Sequence, residues 1–307
     1  MLNYLLTLHF RNHHLYKKEL ENLIAGYEGE RRFIELADQF SQKKLSLIWD
    51  YTFDIGTFTQ IDVMILTQNS LNVYEIKNYH AQCESDGVTF KYNDHVVANN
   101  PYTQCRMATS RLTNLLRRER IDIDVIPHLV LIHPNCQMKL ADLENDIMTL
   151  MMIDIPKHIY QLPPMEPRTA DRILSTLNKY RCVSPYQPHT QYPFDLNQLA
   201  PGIFCPKCGS YRIGIHNRCI ACQNCNCQEE KSSAVKRLIA ECATLFPEQT
   251  FQKKDLMYLA NHQVGRTTLH FYTRNLCRKL AQGLYQYENS HQLPQQLKLY
   301  RAHINDR

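Results

Sequence analysis

Between residues 26 and 133 helical and extended patterns follow one another in an order that few architectures accept. Phe33, Ile34, Ala37 and Phe40 recur at helical spacing and predict a helix over 26–40. Leu47–Thr52, Gln60–Thr67 and Leu71–Tyr79 then read as strands rich in β-branched and aromatic residues, the last two joined by a turn at Gln68-Asn69. Val88–Tyr92 and His95–Ala98 flank Asn93-Asp94 as an extra hairpin. Asn100 before Pro101 is an N-cap and first helical residue, for a helix running to about Arg120, and Val125–His133 is a buried strand. This order specifies a mixed α/β sandwich.

The hairpin carries the chemistry. With a symmetric turn at Thr67-Gln68-Asn69-Ser70, paired residues sum to 137 and Asp62 stands opposite Glu75. Directly opposed Cβ atoms lie about 5 Å apart, where like charges destabilise a sheet unless a cation or a proton sits between them. Two carboxylates at that separation suit one Mg²⁺ or Mn²⁺. Lys77 points the same way by the period of two, and a one-residue slip in register removes the pairing. Glu30 shares the stripe of Phe33, Ile34 and Ala37 that packs on the sheet, whereas Glu28, Arg32, Glu35 and Gln39 form the wet face. A buried Glu30 needs a metal or the Lys77 ammonium as partner. Gln104 precedes Ala108, Leu112 and Leu115 at helical spacing and also faces the sheet. Alone, an Asp, a Glu and a Lys on a hairpin are an ordinary surface ion pair; the inward Glu30 and Gln104 argue for a site.

Six of the twelve cysteines crowd into residues 205–227. Cys205-Pro-Lys-Cys208 and Cys219-Ile-Ala-Cys222 form two C-x₂-C knuckles, each offering two thiolates to one tetrahedral Zn²⁺ in a ribbon, with Tyr211–Ile215 as the strand between. Cys225 and Cys227 are alternative ligands for Cys219 or Cys222, or free thiols with a redox role. Four thiolates leave no open position, so this zinc is structural. The scattered Cys83, Cys105, Cys136, Cys182, Cys242 and Cys277 read as buried hydrophobes.

Nine of the fourteen prolines lie between Pro156 and Pro206, which marks a connecting region with one short helix near 170–179. After the ribbon, Ser233–Leu245, Lys254–Ala260 and Arg266–Leu280 read as three helices, with Gln263-Val264-Gly265 as the turn before the last. That order resembles a small helix-turn-helix unit whose last helix presents Arg266, Arg274, Arg278 and Lys279 to phosphates. A basic solvent face on an ordinary bundle is the competing reading. The predicted parts are 1–150, 151–200, 201–230 and 231–307: the α/β domain, the connector, the ribbon and a basic helical region.

The formal charge of +5 is unevenly placed, with nine Lys and Arg against three acids in 253–307. A basic C-terminal region on a near-neutral body suits a polyanion. No apolar run is long enough to span a bilayer, and the opening MLNYLLTLHF lacks a basic start and a cleavage site. The expectation is a cytoplasmic protein with no membrane partner.

Four ordered motifs, Gly26-Tyr27-Glu28-Gly29-Glu30, Gln60-Ile61-Asp62-Val63, Tyr74-Glu75-Ile76-Lys77-Asn78 and Asn100-Pro101-Tyr102-Thr103-Gln104, resemble the nuclease-related domain (NERD) family, whose core is similar to the PD-(D/E)XK nucleases. The resemblance covers about 22–135. It implies an α-β-β-β-α-β core, a PD-(D/E)XK-like mixed sheet flanked by helices, with Asp62 and Glu75 as metal ligands, Lys77 as the catalytic lysine and Glu30 as the helix acid. Ile61 stands where a proline can precede the acid. The expected activity is metal-dependent phosphodiester hydrolysis, on DNA in preference to RNA. In it Asp62, Glu75 and the Ile76 carbonyl hold Mg²⁺ or Mn²⁺, Lys77 orients a water, and Gln104 positions the phosphate or water. The alternative is a non-catalytic nucleic-acid-binding or regulatory protein on a degenerate nuclease fold.

Overall fold

In the computed structural model, which describes residues 1–140, 146–182 and 188–288, α1 (Leu2–Phe10) is followed by α2 (Lys17–Phe40), which begins earlier than the predicted helix over 26–40. The three predicted strands form as β1 (Ser46–Asp54), β2 (Phe58–Leu66) and β3 (Ser70–Lys77). Next come β4 (Gln82–Ser85), β5 (Phe90–Tyr92) and β6 (His95–Val96). Asn93 and Asp94, at φ 49° and 62°, make the left-handed turn between the last two, as their residue types predict. α3 (Pro101–Arg118) has Asn100 as its cap, its side chain accepting the Tyr102 N–H. β7 (Asp124–Leu131), β8 (Gln137–Leu140), β9 (Met148–Met151), α4 (Ile155–Gln161) and α5 (Pro167–Tyr180) complete this part.

The chain divides into two units, Leu23–Pro185 and Met1–Asn22 with Tyr186–Arg307. This differs from the expected domain 1–150 at both ends. The stretch expected to be a connector supplies α4 and α5, whose Ile155, Ile159, Ala170, Ile173 and Leu177 are buried in the cores of the first unit. The prolines punctuate these helices rather than dissolve them: Pro167 stands in the first turn of α5, where a missing N–H costs nothing.

The first unit is built on a five-stranded sheet in the order β1-β2-β3-β7-β9, antiparallel from β1 to β3 and parallel from β3 to β9. A second sheet has the order β6-β5-β4-β8. One core joins Met64, Leu66, Leu71 and Val73 to the α3 leucines Leu112, Leu115 and Leu116. Another joins Val63, Ile65, Tyr74 and Ile76 to Phe33 and Ala37 of α2. The period of two assigns Ile61 to the second core with Val63, yet it lies in the first with Met64. On β1, Trp49 packs with the second core and Tyr51 with the first. Both strands reverse faces around Asp50 and Asp62, and the left-handed φ of 49° at Asp50 makes the turn-over.

In the second unit α1 buries Tyr4, Leu5, Leu6, Leu8 and Phe10. Beside it, Arg11 is fully buried and paired with Glu241 at 2.6 Å. The short α6 (Pro188–Gln191) precedes β10 (Ile213–Ile215), β11 (Cys219–Cys222) and β12 (Gln228–Glu230), an antiparallel three-stranded sheet. α7 (Lys231–Thr244), β13 (Thr250–Gln252), α8 (Lys253–Ala260), α9 (Arg266–Leu276), β14 (Cys277–Ala281) and β15 (Leu284–Tyr287) follow. The last helix therefore ends at Leu276 rather than Leu280. Arg278 and Lys279 lie on a strand that pairs with β15, and Gly283, at φ 73°, supplies the turn between them. The basic residues of 289–307 lie outside the described residues.

Among the described residues, no helix is long and apolar enough to cross a membrane.

Candidate active site and metal centre

Gly29 sets the approach of α2 to the sheet. A Cβ there would lie 3.0 Å from Asn78 Cβ and 3.1 Å from Ile132 Cγ2, a contact so tight that its neighbours would have to give way by a few tenths of an ångström. Asn78 Nδ2 donates to the Ala25 carbonyl at 2.8 Å and ties the same helix to the end of β3. Glu30, the next residue along α2, thereby comes down over the strands. Trp49 Nε1 donates to Glu30 Oε2 at 2.6 Å.

The β2–β3 ladder follows the predicted sum of 137, from Leu66–Leu71 to Val63–Tyr74, and stops there. Asp62 and Glu75, next in line, are not ladder partners. Instead Asp62 Oδ2 accepts the Ile76 N–H at 2.8 Å, a side chain taking a hydrogen bond where the backbone pairing has ended. Lys77 Nζ stands 2.7 Å from Glu75 Oε1.

The electrostatics bring these groups together. Burial raises the Asp62 carboxyl well above its ordinary value, and the charges of Glu75 and Glu30 push it further; Lys77 and the Ile76 N–H oppose this. Burial also raises Glu30, against the pull of the Trp49 indole, with Asp50 and Glu75 adding to the rise. Burial alone would depress the Lys77 ammonium, but Glu75 and Asp62 outweigh it and hold it above its usual value. Three carboxyls and one ammonium in mutual range resist carrying full negative charge in a desolvated place unless a further cation joins them. That donor set fits a divalent cation of the Mg²⁺ type, which takes oxygen ligands.

Gln104 sits in the first turns of α3 with its Oε1 buried and no hydrogen-bond partner among the described residues. Burial raises the thiol of its neighbour Cys105, and the charges of Glu75 and Asp62 add to the rise. Trp49 and Asp50 had no part in the sequence reading. The signal was the β1–β2 register, which pairs Trp49 with Val63 and leaves Asp50 across from Asp62.

The cysteine centre differs from its expected ligand set. Cys205, Cys208, Cys222 and Cys225 have sulfurs within 4.8 Å of one another; Cys219 is not in this group. Cys205 and Cys225 sulfurs are 3.6 Å apart and those of Cys208 and Cys222 3.5 Å. A tetrahedral Zn²⁺ with Zn–S of about 2.3 Å spaces its thiolates by about 3.8 Å, so the cluster fits a metal. Cys219 fails because it lies on β11 three residues from Cys222, and an odd offset along a strand points a side chain to the opposite face. The two knuckles are alike in detail. The Lys207 N–H points at the Cys205 sulfur and the Asn224 N–H at the Cys222 sulfur. Each second cysteine is followed by a left-handed residue, Gly209 at φ 66° and Asn226 at φ 56°. Cysteine, two residues, cysteine, then Gly or Asn was the pattern in the sequence that selects Cys225 over Cys219.

No curated protein and no solved structure matches the chain. Residues 25–132, which carry α2 from Ala25, the three antiparallel strands, α3, β7 and with them the whole acidic cluster, match the family model of the nuclease-related domain, NERD.

Proposed function

We propose that this protein is a metal-dependent nuclease that hydrolyses phosphodiester bonds, with DNA preferred to RNA. The observation that supports this reading is the junction of Asp62, Glu75, Glu30 and Lys77 where the β2–β3 ladder stops. Asp62 and Glu75, with the Ile76 carbonyl, would hold a Mg²⁺ or Mn²⁺ ion. When bound, such an ion neutralises the scissile phosphate and acidifies water. Lys77 orients the attacking water and meets the charge that develops on the phosphate oxygens. Glu30, steadied by Trp49, accepts a hydrogen bond from a water on the ion side of the cluster. The unpartnered Oε1 of Gln104 accepts from a water, while its Nε2 would donate to a phosphate oxygen.

Cys205, Cys208, Cys222 and Cys225 hold a structural Zn²⁺, and the region from Lys231 onward grips nucleic acid. On α9 the exposed side chains Arg266, Thr267, His270, Phe271, Arg274 and Asn275 share one face, polar except for Phe271. A helix of that size enters the major groove of B-form DNA, whereas the A-form groove of RNA is too deep and narrow, which is the reason for preferring DNA. The action is in the cytoplasm.

Incubating the purified protein with labelled DNA and RNA in Mg²⁺, Mn²⁺ or EDTA tests this. DNA cleavage that needs the metal and vanishes in Lys77→Ala is expected. Binding without cleavage under every metal would leave the non-catalytic reading.

A further inference from the structure

We propose a second phosphate seat in the first unit, a groove of about 610 Å³ lined by Ile55, Thr57, Arg111, Asn114, Arg117 and Arg118. Its occupant is the backbone of the nucleic-acid strand whose scissile phosphate lies at the acidic cluster; in this it rests on the nuclease reading.

Three guanidiniums line this groove, and no carboxylate does. The acids nearest in sequence are engaged elsewhere. Asp54 accepts the Gly56 N–H at 2.7 Å, and Glu119 accepts from the Tyr180 hydroxyl and faces Lys179 at 3.7 Å. Arg111 is held in place, its Nη1 donating to Thr59 Oγ1 at 3.2 Å and to the Phe58 carbonyl at 3.4 Å, which leaves most of its five N–H donors for a ligand. Arg117 and Arg118 complement the helix dipole in the last turn of α3. The dipole accounts for their place on the helix but not for their convergence with Arg111, Asn114 and Thr57 on one concavity.

The groove and the acidic cluster share two rails. On α3, Gln104 and Arg111 are seven residues apart on one face, about 10 Å at 1.5 Å per residue. On β2, Asp62 lies four residues beyond Phe58, about 13 Å along the strand. Phosphates in a stacked strand advance by about 3.4 Å each. A strand cut at the cluster therefore places a phosphate some three or four nucleotides away in the groove. Arginine suits this role because its planar fork matches two phosphate oxygens at once.

The test is equilibrium binding of labelled trimer and dodecamer single-stranded DNA in EDTA, where nothing is cut, to wild type, Arg117→Ala/Arg118→Ala and Asn114→Asp. The gain in affinity from trimer to dodecamer should shrink at least tenfold in both variants. For the double variant the slope of log affinity against log salt should fall by about 1.4, since each lost single-strand contact removes about 0.7. An unchanged gain and slope, with unchanged melting temperatures, would overturn the seat. Inorganic phosphate binding in the groove at micromolar concentration, with no gain from chain length, would assign it to a free anion and overturn the strand reading. If wild type cuts no substrate yet the variants lose this gain, hydrolysis fails and the seat stands.

Discussion

Asp62 Oδ2 takes the N–H of Ile76 at 2.8 Å just where the backbone ladder of β2 and β3 gives out. One carboxylate oxygen thus closes the sheet locally, while the same carboxyl, raised by burial, also feels the charges of Glu75 and Glu30. Structure and site compete for the same side chain. Asn preserves the acceptor and removes the buried charge, so Asp62→Asn should melt at or above wild type in EDTA at pH 7. Asp62→Ala strands the N–H and should lose about 1–3 kcal/mol. Calorimetry of both proteins checks the order, and Asp62→Asn melting well below wild type would contradict it.

Two glycines of α2 should respond oppositely to alanine. At Gly29 the added methyl meets Asn78 and Ile132 at close to 3 Å, an overpacking that costs about 1–3 kcal/mol and lifts Glu30 off the sheet. At Gly26 nothing lies within 4 Å, so alanine should stabilise the helix by about 0.5–1 kcal/mol. Denaturant unfolding of Gly29→Ala and Gly26→Ala measures both signs.

The metal centre predicts a sharp contrast between neighbouring cysteines. Cys225→Ser should lose bound zinc and lower the melting temperature, whereas Cys219→Ser should keep about one zinc per chain. Elemental analysis of the purified variants decides it; the reverse pattern would restore Cys219 as a ligand.

Acid should weaken the first unit through His128. Burial, with a smaller contribution from the nearby His158, lowers this imidazole to about 3. Its Nε2 meets Asn72 Oδ1 at 3.0 Å, and its ring stacks on Tyr74. The folded protein keeps His128 neutral while the unfolded chain protonates it near 6.5, so stability from this residue is complete above about 6.5 and drains away as pH falls toward 3. His128→Asn removes this titration. Its melting temperature should therefore fall less steeply than wild type between pH 7 and 4.5, and equal slopes would contradict the assignment.

Much of the first unit was legible because its strands are rich in β-branched and aromatic residues and the β5–β6 turn uses Asn93 and Asp94 where left-handed backbone is needed. The 137 register followed from the turn alone. What escaped was the reversal of faces at Asp50 and Asp62, because a single left-handed aspartate leaves no trace in hydrophobic periodicity. The apolar face of α1 announces burial but not its partner, so the grouping of 1–22 with the C-terminal part was hidden in a long-range pair, Arg11 and Glu241. Leu276 and Leu280 continue a helical spacing that the structure ends at Leu276, because pairing with Leu284–Tyr287 wins over local propensity. The second knuckle was misread because Cys219 and Cys222 match the familiar spacing, while the deciding residue, Asn226, stands outside it.

Anomalous diffraction from crystals soaked in Mn²⁺ addresses the acidic cluster directly. A peak ligated by Asp62 and Glu75, absent from Glu75→Gln crystals treated alike, is the expected result. Crystals saturated with Mn²⁺ that show no density between those two carboxylates would contradict a shared catalytic ion.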